Sequence, residues 1–266
     1  MTHRTSRAFG PDRTARRRAI DRRTYGWAGE RRIDEAMTHP APVGLFLDFY
    51  GTITSGDRDT VESICQCVID EHDLPLTAGE LGVRWGRRFF DLIERSNGEH
   101  FRTLLDCQRI SLAQTLSQLG LDVPCDGYVE PFREYMRQPR LQPEVADALG
   151  AIDLPICLVS NADDDDLLAA MEHRGLRFDE VVTSQQVRCY KPDPGIFRQA
   201  LARTGWSADR VLHAGDSLHS DVAGARAAGL PAVWVRRQRR ISDLPRGEPD
   251  YTVGDLCELA ALLRRL

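Results

Sequence analysis

Short runs of consecutive apolar residues alternate along this chain with longer stretches of helical period, and that alternation predicts the architecture. The first apolar run, V-G-L-F-L at 43–47, stops at Asp48 and breaks into a turn, F-Y-G-T-I-T. A run apolar on successive residues reads as a strand buried on both faces, as in a parallel α/β sheet. Residues 57–138 change period: Val61, Ile64, Cys65, Val68 and Ile69 recur at helical spacing, as do Leu81, Trp85, Phe89 and Leu92. Phe101, Leu104, Leu105, Leu112, Leu116 and Leu119 form a third stripe. From residue 151 strands and helices alternate. Strands are predicted at 156–160, 181–184, 211–214 and 232–235, with a weaker one at 251–253, and helices at 164–174, 194–204 and 221–228. Gly175 and Gly229 fall where helix stops belong. The expected fold is α/β: a doubly wound, Rossmann-like parallel sheet over 41–56 and 139–266, interrupted by a helical cap over 57–138.

Composition narrows the class. The chain has 266 residues, 42% hydrophobic and 28% charged, with a formal charge of -5 and a pI near 5.8. That length suits one α/β domain with an insertion, and the acidic balance gives no reason to expect nucleic acid as a partner. No apolar stretch approaches a membrane span, and the amino terminus lacks the apolar segment of a secretory signal, so the expectation is a cytoplasmic protein without a membrane partner. Seven scattered cysteines without C-x-x-C pairs suit reduced thiols. Residues 1–40, with ten arginines against five acids, read as a disordered arm. Met37 is an alternative start whose use native amino-terminal mass spectrometry would test. Oligomeric state is left open.

The chemistry gathers at strand ends. The first strand delivers Asp48, the second Ser160 and Asn161, and V-L-H-A-G-D-S-L-H-S-D delivers Asp216 and, a turn later, Asp221. Lys191, in C-Y-K-P-D-P, is the only lysine among 35 basic residues, which marks a place where a compact ammonium is preferred to a guanidinium. In a parallel sheet all these ends share one edge, where ligands bind. Several carboxylates crowded there need a cation, and oxygen ligands beside a phosphate favour Mg²⁺. Lys191 and the Ser160 hydroxyl then hold phosphoryl charge, leaving one carboxylate to attack. The run Asp163–Asp166 reads as helix-terminus capping, His213 as a strand residue, His219 as a helix-entry residue and 236–240 as a solvated basic loop.

These residues resemble the haloacid dehalogenase superfamily of hydrolases, in D-F-Y-G-T at 48–52, S-N at 160–161, K-P at 191–192 and G-D-S-L-H-S-D at 215–221. Their order and spacing, with the helical cap between the first two, make the match specific. The resemblance implies Asp48 as nucleophile, Ser160 as phosphate ligand with Asn161 beside it, and Lys191 as the cation between nucleophile and phosphoryl group. It implies Mg²⁺ held by Asp48, the Tyr50 carbonyl and Asp216, with Asp221 a further ligand or a partner behind the ligands. Thr52 would orient the loop. One position departs: phosphatases of the group carry a second Asp where this chain has Tyr50, and D-x-Y-G-T is the form found in the metal-independent 2-haloacid dehalogenases. The last motif is phosphatase-like. The expectation is a Mg²⁺-dependent phosphatase of a small phosphorylated metabolite. The alternatives are a 2-haloacid dehalogenase acting through an aspartyl ester, and a phosphate-ligand binding protein with little turnover. Arg84, Arg87 and Arg88 read first as a solvated helix face; together with His100 and Arg102 they are also the cap residues named as candidates to meet substrate.

Overall fold

The computed structural model describes residues 40–237 and 247–266. The arginine-rich arm up to residue 39, Met37 within it, and residues 238–240 of the basic cluster lie outside them. In chain order, β1 (Gly44–Leu47) and β2 (Thr54–Ser55) precede four helices: α1 (Asp57–His72), α2 (Ala78–Glu94), α3 (Leu104–Ser117) and α4 (Asp126–Arg137). The chain returns through β3 (Arg140–Leu141) and α5 (Val145–Gly150) to β4 (Ile156–Ser160), α6 (Asp164–Arg174), β5 (Glu180–Thr183), α7 (Ser184–Val187) and α8 (Pro194–Thr204). Then come β6 (Val211–Gly215), a π-helical turn at Leu218–Ala223, α9 (Gly224–Ala227), β7 (Ala232–Val235), β8 (Tyr251–Val253) and α10 (Leu256–Leu263). No described helix is long and apolar enough to cross a membrane.

Six strands pair in parallel in the order β5-β4-β1-β6-β7-β8. Because side chains alternate across a strand, β1 serves two cores: Leu45 and Leu47 join the cluster with residues of α5, α6 and α10. Phe46 joins the other, with Ile196, Phe197 and Ala200 of α8 and Ala225 of α9. All four β1 residues are buried, which is why the run reads apolar without alternation. The sheet is the α/β architecture expected.

Two of the differences from the expected boundaries have a local cause in a serine or threonine hydroxyl. Strand β5 ends one residue early, because the Thr183 hydroxyl accepts from the Gln186 amide and Ser184 opens α7. The helix expected at 221–228 begins instead at Leu218: the Ser217 hydroxyl accepts from the Ser220 amide, and the amides of both Asp221 and Val222 reach the Ser217 carbonyl at 3.0 Å. The second of these bonds widens the turn to π geometry and places Asp221 inside the first turn rather than at its start.

Helices α1–α4 build a core of their own, with Ile64, Val68, Leu81, Trp85, Leu112, Leu116 and Phe132 buried together. Phe101 is outside α3, on the loop before it, where it stacks on Tyr190 at 5.2 Å. The Tyr190 hydroxyl donates to the Arg102 carbonyl (2.8 Å) and its amide to Asn97 Oδ1 (2.8 Å), so this loop is pinned to the segment that carries Lys191. Both crossings between sheet and helical layer pass through one antiparallel ribbon, with Thr54 opposite Leu141 and Ser55 opposite Arg140.

Candidate active site

Asp48 follows β1 directly, and its amide still bonds to the Ala214 carbonyl of β6 at 2.9 Å. It therefore stands at the carboxyl end of the central strand, where the sheet order turns from β4 on one side to β6 on the other, the crevice that open α/β sheets use for ligands. The following turn is closed by the Phe49 carbonyl accepting from Ile53 (2.9 Å) and Thr54 (3.2 Å). Gly51 has φ +87°, and a Cβ there would lie 2.9 Å from Asp216 Oδ2. The position requires glycine both for its conformation and for the approach of that carboxylate. Arg237 braces the turn from behind, donating to the Thr52 carbonyl (2.6 Å) and to Glu144 (2.6 Å). It is one of the cluster expected to be solvated; its side chain is 12% exposed.

The other strand ends converge on Asp48. Lys191 Nζ, buried, donates to Asp48 Oδ1 (2.6 Å), Asp221 Oδ1 (2.6 Å) and the Val159 carbonyl (2.9 Å). Three acceptors satisfy all three ammonium hydrogens. The Thr52 hydroxyl faces Asp48 Oδ2 (2.8 Å) and Asp216 Oδ1 (3.2 Å). Asn161, expected to bind substrate, uses its side chain on Lys191: Nδ2 donates to the Lys191 carbonyl (3.1 Å) and Oδ1 accepts from its amide (2.8 Å). The Ser160 hydroxyl is fully buried and has no hydrogen-bond partner among the described residues.

Asp221 is the most thoroughly held carboxylate. Oδ1 accepts from Lys191 and lies 3.0 Å from His213 Nε2, while Oδ2 accepts from the Ser217 amide at 2.9 Å. A Cβ on Gly215 would sit 2.1 Å from Asp221 Cγ, so the glycine of G-D-S is what lets Asp221 fold back under the strand. His213, read from sequence as a strand residue only, is a fully buried partner of Asp221. His219 reaches Glu94 at the end of α2, at 2.6 Å.

Oxygens of Asp48, Asp216 and Asp221 lie within 4.8 Å of one another, and all three residues are buried. Against three carboxylates stands one ammonium, and burial holds His213 below its ordinary pKa despite Asp221, so it does not supply a second charge. Burial pushes Asp48 up to about 7 against the pull of Lys191, with Asp221 and Asp216 adding repulsion. Asp221 is well below the carboxylate range: burial raises it, but Lys191 and His213 prevail. Burial lowers Lys191, and Asp221 and Asp48 more than reverse that. An all-oxygen donor set with unbalanced negative charge is the chemistry a hard divalent cation fits. Asp48 and Asp216 suit that role better than Asp221, whose oxygens already accept from three protein donors.

Tyr50 takes a task that its sequence position did not announce. Its hydroxyl donates to the Met136 carbonyl at the end of α4 (2.7 Å). Burial pushes the phenol well above its ordinary pKa of 10. It links the turn to the helical layer and has no proton to exchange at neutral pH. Above the carboxylates lies a cavity of about 210 Å³, walled on the helical side by Trp85, Phe89, Phe90, Ile93, Leu104 and Phe132. The helical period puts Trp85 and Phe89 in a core stripe, with Arg84, Arg87 and Arg88 on a solvated face and, with His100 and Arg102, only as candidates for substrate contact. None of those five lines the cavity; Arg58 and Gln108 do. The apolar side of α2 was legible from its period, but that the same side continues past the core onto a ligand space was not.

The haloacid dehalogenase-like hydrolase family matches residues 44–229. The phosphoserine phosphatase of Thermus thermophilus is 39% identical over 133 residues, 48% of this chain and 53% of that protein, so the match spans about half of the relative. The (S)-2-haloacid dehalogenase of Pseudomonas sp. strain YL is 25% identical over 225 residues, 80% of this chain and 90% of the relative. Among solved structures, L-2-haloacid dehalogenase from Xanthobacter autotrophicus shares the fold with a TM-score of 0.67 at 23% identity, over 84% of this chain and 98% of that one. The magnesium-bound HAD-hydrolase YfnB from Bacillus subtilis does so with 0.67 at 20% identity, over 85% and 100%.

Proposed function

The chain belongs to the haloacid dehalogenase-like hydrolases, and on that premise we propose that it is a Mg²⁺-dependent phosphatase that forms an aspartyl-phosphate on Asp48. The carrying observation is Asp216, which adds a third buried carboxylate within 4.8 Å of Asp48 and Asp221. An enzyme displacing halide from a 2-haloacid has to admit an anionic substrate, and a further carboxylate opposes that. A cation-bound phosphate ester needs the extra carboxylate. Asp48, Asp216 and the Tyr50 carbonyl would hold the ion, which when bound neutralises charge on the phosphoryl oxygens.

The chain's own groups then divide the work. Asp48 attacks phosphorus, held by the Thr52 hydroxyl and by Lys191. Lys191 offsets the negative charge gathering between nucleophile and phosphoryl group. Asp221, bonded to Lys191 and His213, fixes where that ammonium points. The unpartnered Ser160 hydroxyl is a buried donor that costs about 1–3 kcal/mol if left so; a phosphoryl oxygen is the partner this reading assigns it. The phosphoserine phosphatase relative, matched over half its length, supports the reaction class.

A second reading, 2-haloacid dehalogenation, is favoured by the D-F-Y-G-T turn, the apolar cavity wall and the longer match to the dehalogenase relative. A third is binding with little turnover. One experiment separates them: incubation with a panel of phosphate esters and of 2-haloacids, with and without Mg²⁺. The expected outcome is Mg²⁺-dependent phosphate release that disappears in Asp48→Asn. Halide release without metal establishes the second reading, and binding without either product the third.

A further inference from the structure

We infer that the ester hydrolysed is one with a bulky apolar, weakly basic leaving group, an aryl phosphate, an assignment that rests on the phosphatase reading and adds the substrate class. Two independent features carry it. The first is the wall. Eight apolar or aromatic side chains from α2, α3 and α4 line the cavity with the carboxylates. Of the charged residues of the helical layer only Asp57 and Arg58 line it, and Arg58 Nε is engaged by Glu62 at 2.8 Å. Asp57 and Arg58 both belong to the first turn of α1, and on α2, α3 and α4 the polar groups of the lining are Gln108 and the Tyr135 hydroxyl, too few to match the hydroxyls of a sugar. An aromatic ring fits it by area and by ring–ring contact.

The second feature is the missing proton donor. The residue two places after the nucleophile is a phenol whose hydrogen is given to the Met136 carbonyl. An alkoxide leaving group needs protonation as its bond to phosphorus breaks, and lack of that acid typically costs about 10²–10⁴ in rate. A phenoxide leaves without it. In the first step an Asp48 carboxylate oxygen bonds to phosphorus while the phosphorus–oxygen bond to the ring breaks, and the aryloxide departs with the electron pair and takes its proton from solvent. Water then adds to phosphorus, releasing inorganic phosphate and restoring the Asp48 carboxylate. The net reaction is ester plus water to phenol plus phosphate.

The test compares kcat/KM, with Mg²⁺ present, for 2-naphthyl phosphate, phenyl phosphate, O-phosphoserine, glycerol 3-phosphate and acetyl phosphate. Aryl phosphates are expected to exceed the two alkyl phosphates by at least about 10². Comparable values for O-phosphoserine or glycerol 3-phosphate overturn the inference while leaving the phosphatase reading intact. Phosphate release from none of the five overturns the phosphatase reading itself. A second arm isolates the wall from leaving-group reactivity. Phe89→Ala and Phe90→Ala should raise KM for 2-naphthyl phosphate about tenfold more than KM for acetyl phosphate, with Phe89→Leu restoring part of the loss. Equal losses on both substrates would show the wall to be structural only.

Discussion

Tyr50 separates two questions that its place in the motif joins, what the residue is and what it does. If the phenol only ties the turn to α4, Tyr50→Phe should cost about 1 kcal/mol of stability in denaturant unfolding and leave kcat/KM for an activated aryl phosphate within twofold. With a phenol rather than a carboxyl two residues after the nucleophile, the wild type should show a burst of phenol release equal to the enzyme present, followed by slower turnover. Tyr50→Asp should shrink the burst and raise the steady rate; an unchanged burst means another group already activates water. Asp216 invites a test of opposite sign. Removing one of three crowded carboxylates should leave Asp216→Asn more heat-stable than wild type in metal-free buffer, yet no longer stabilised by Mg²⁺. Asp48, Lys191, Asp216 and Asp221 were legible in the sequence because strand ends in a parallel sheet share an edge. His213 and Arg237 were not, since a buried histidine on a strand and an arginine in a basic run take their meaning from partners distant in sequence.

The acidic start of α6 shows the same limit for an element. Four consecutive acids predict dipole complementation and capping of their own helix, and Asp163 is indeed its N-cap residue. Its side chain does not bond there. Both oxygens accept amides at the start of α3, from Leu104 (2.7 Å) and Leu105 (3.0 Å). Asp166 faces Arg137 (3.2 Å) and Arg133 (3.6 Å) of α4, and Asp164 accepts from the Thr183 hydroxyl. The capping expected of α6 is thus not made by Asp163, whose capping bonds go to α3, while Asp164 and Asp166 hold side chains of neighbouring elements. Asp163→Ala should therefore cost about 1 kcal/mol and speed amide exchange in the first turn of α3 more than in α6. Faster exchange confined to α6 would return the residue to its own helix. The strands and stripes themselves were legible because period alone specifies them. The π turn was not, because it depends on where one hydroxyl and one carbonyl of Ser217 point.

For the whole molecule, the buried charge links folding to pH and to metal. Asp48 has a folded pKa raised from 3.8 to about 7. Ionising it therefore disfavours the fold, and its contribution to stability falls as pH rises from about 4 to about 7. Asp221 runs the other way: its depressed pKa contributes stability above the ordinary carboxylate value, lost only in strong acid. A divalent cation held by Asp48, as proposed, would compete with the Asp48 proton. The rise in Tm on adding Mg²⁺ should be larger at pH 8 than at pH 5.5, as measured by differential scanning calorimetry; an equal or larger rise at pH 5.5 would place the ion away from Asp48.

The short ribbon of β2 and β3 carries a consequence for how such a protein changes over time. Because the helical layer leaves and rejoins the sheet between paired neighbours, it is topologically the loop of a hairpin. An inserted unit whose ends lie side by side can be lengthened, shortened or exchanged without retying any strand. The half of the site that carries the carboxylates and Lys191 and the half that supplies the apolar wall thus lie on separable pieces of chain. New specificities can arise by trading one piece while the other stays fixed.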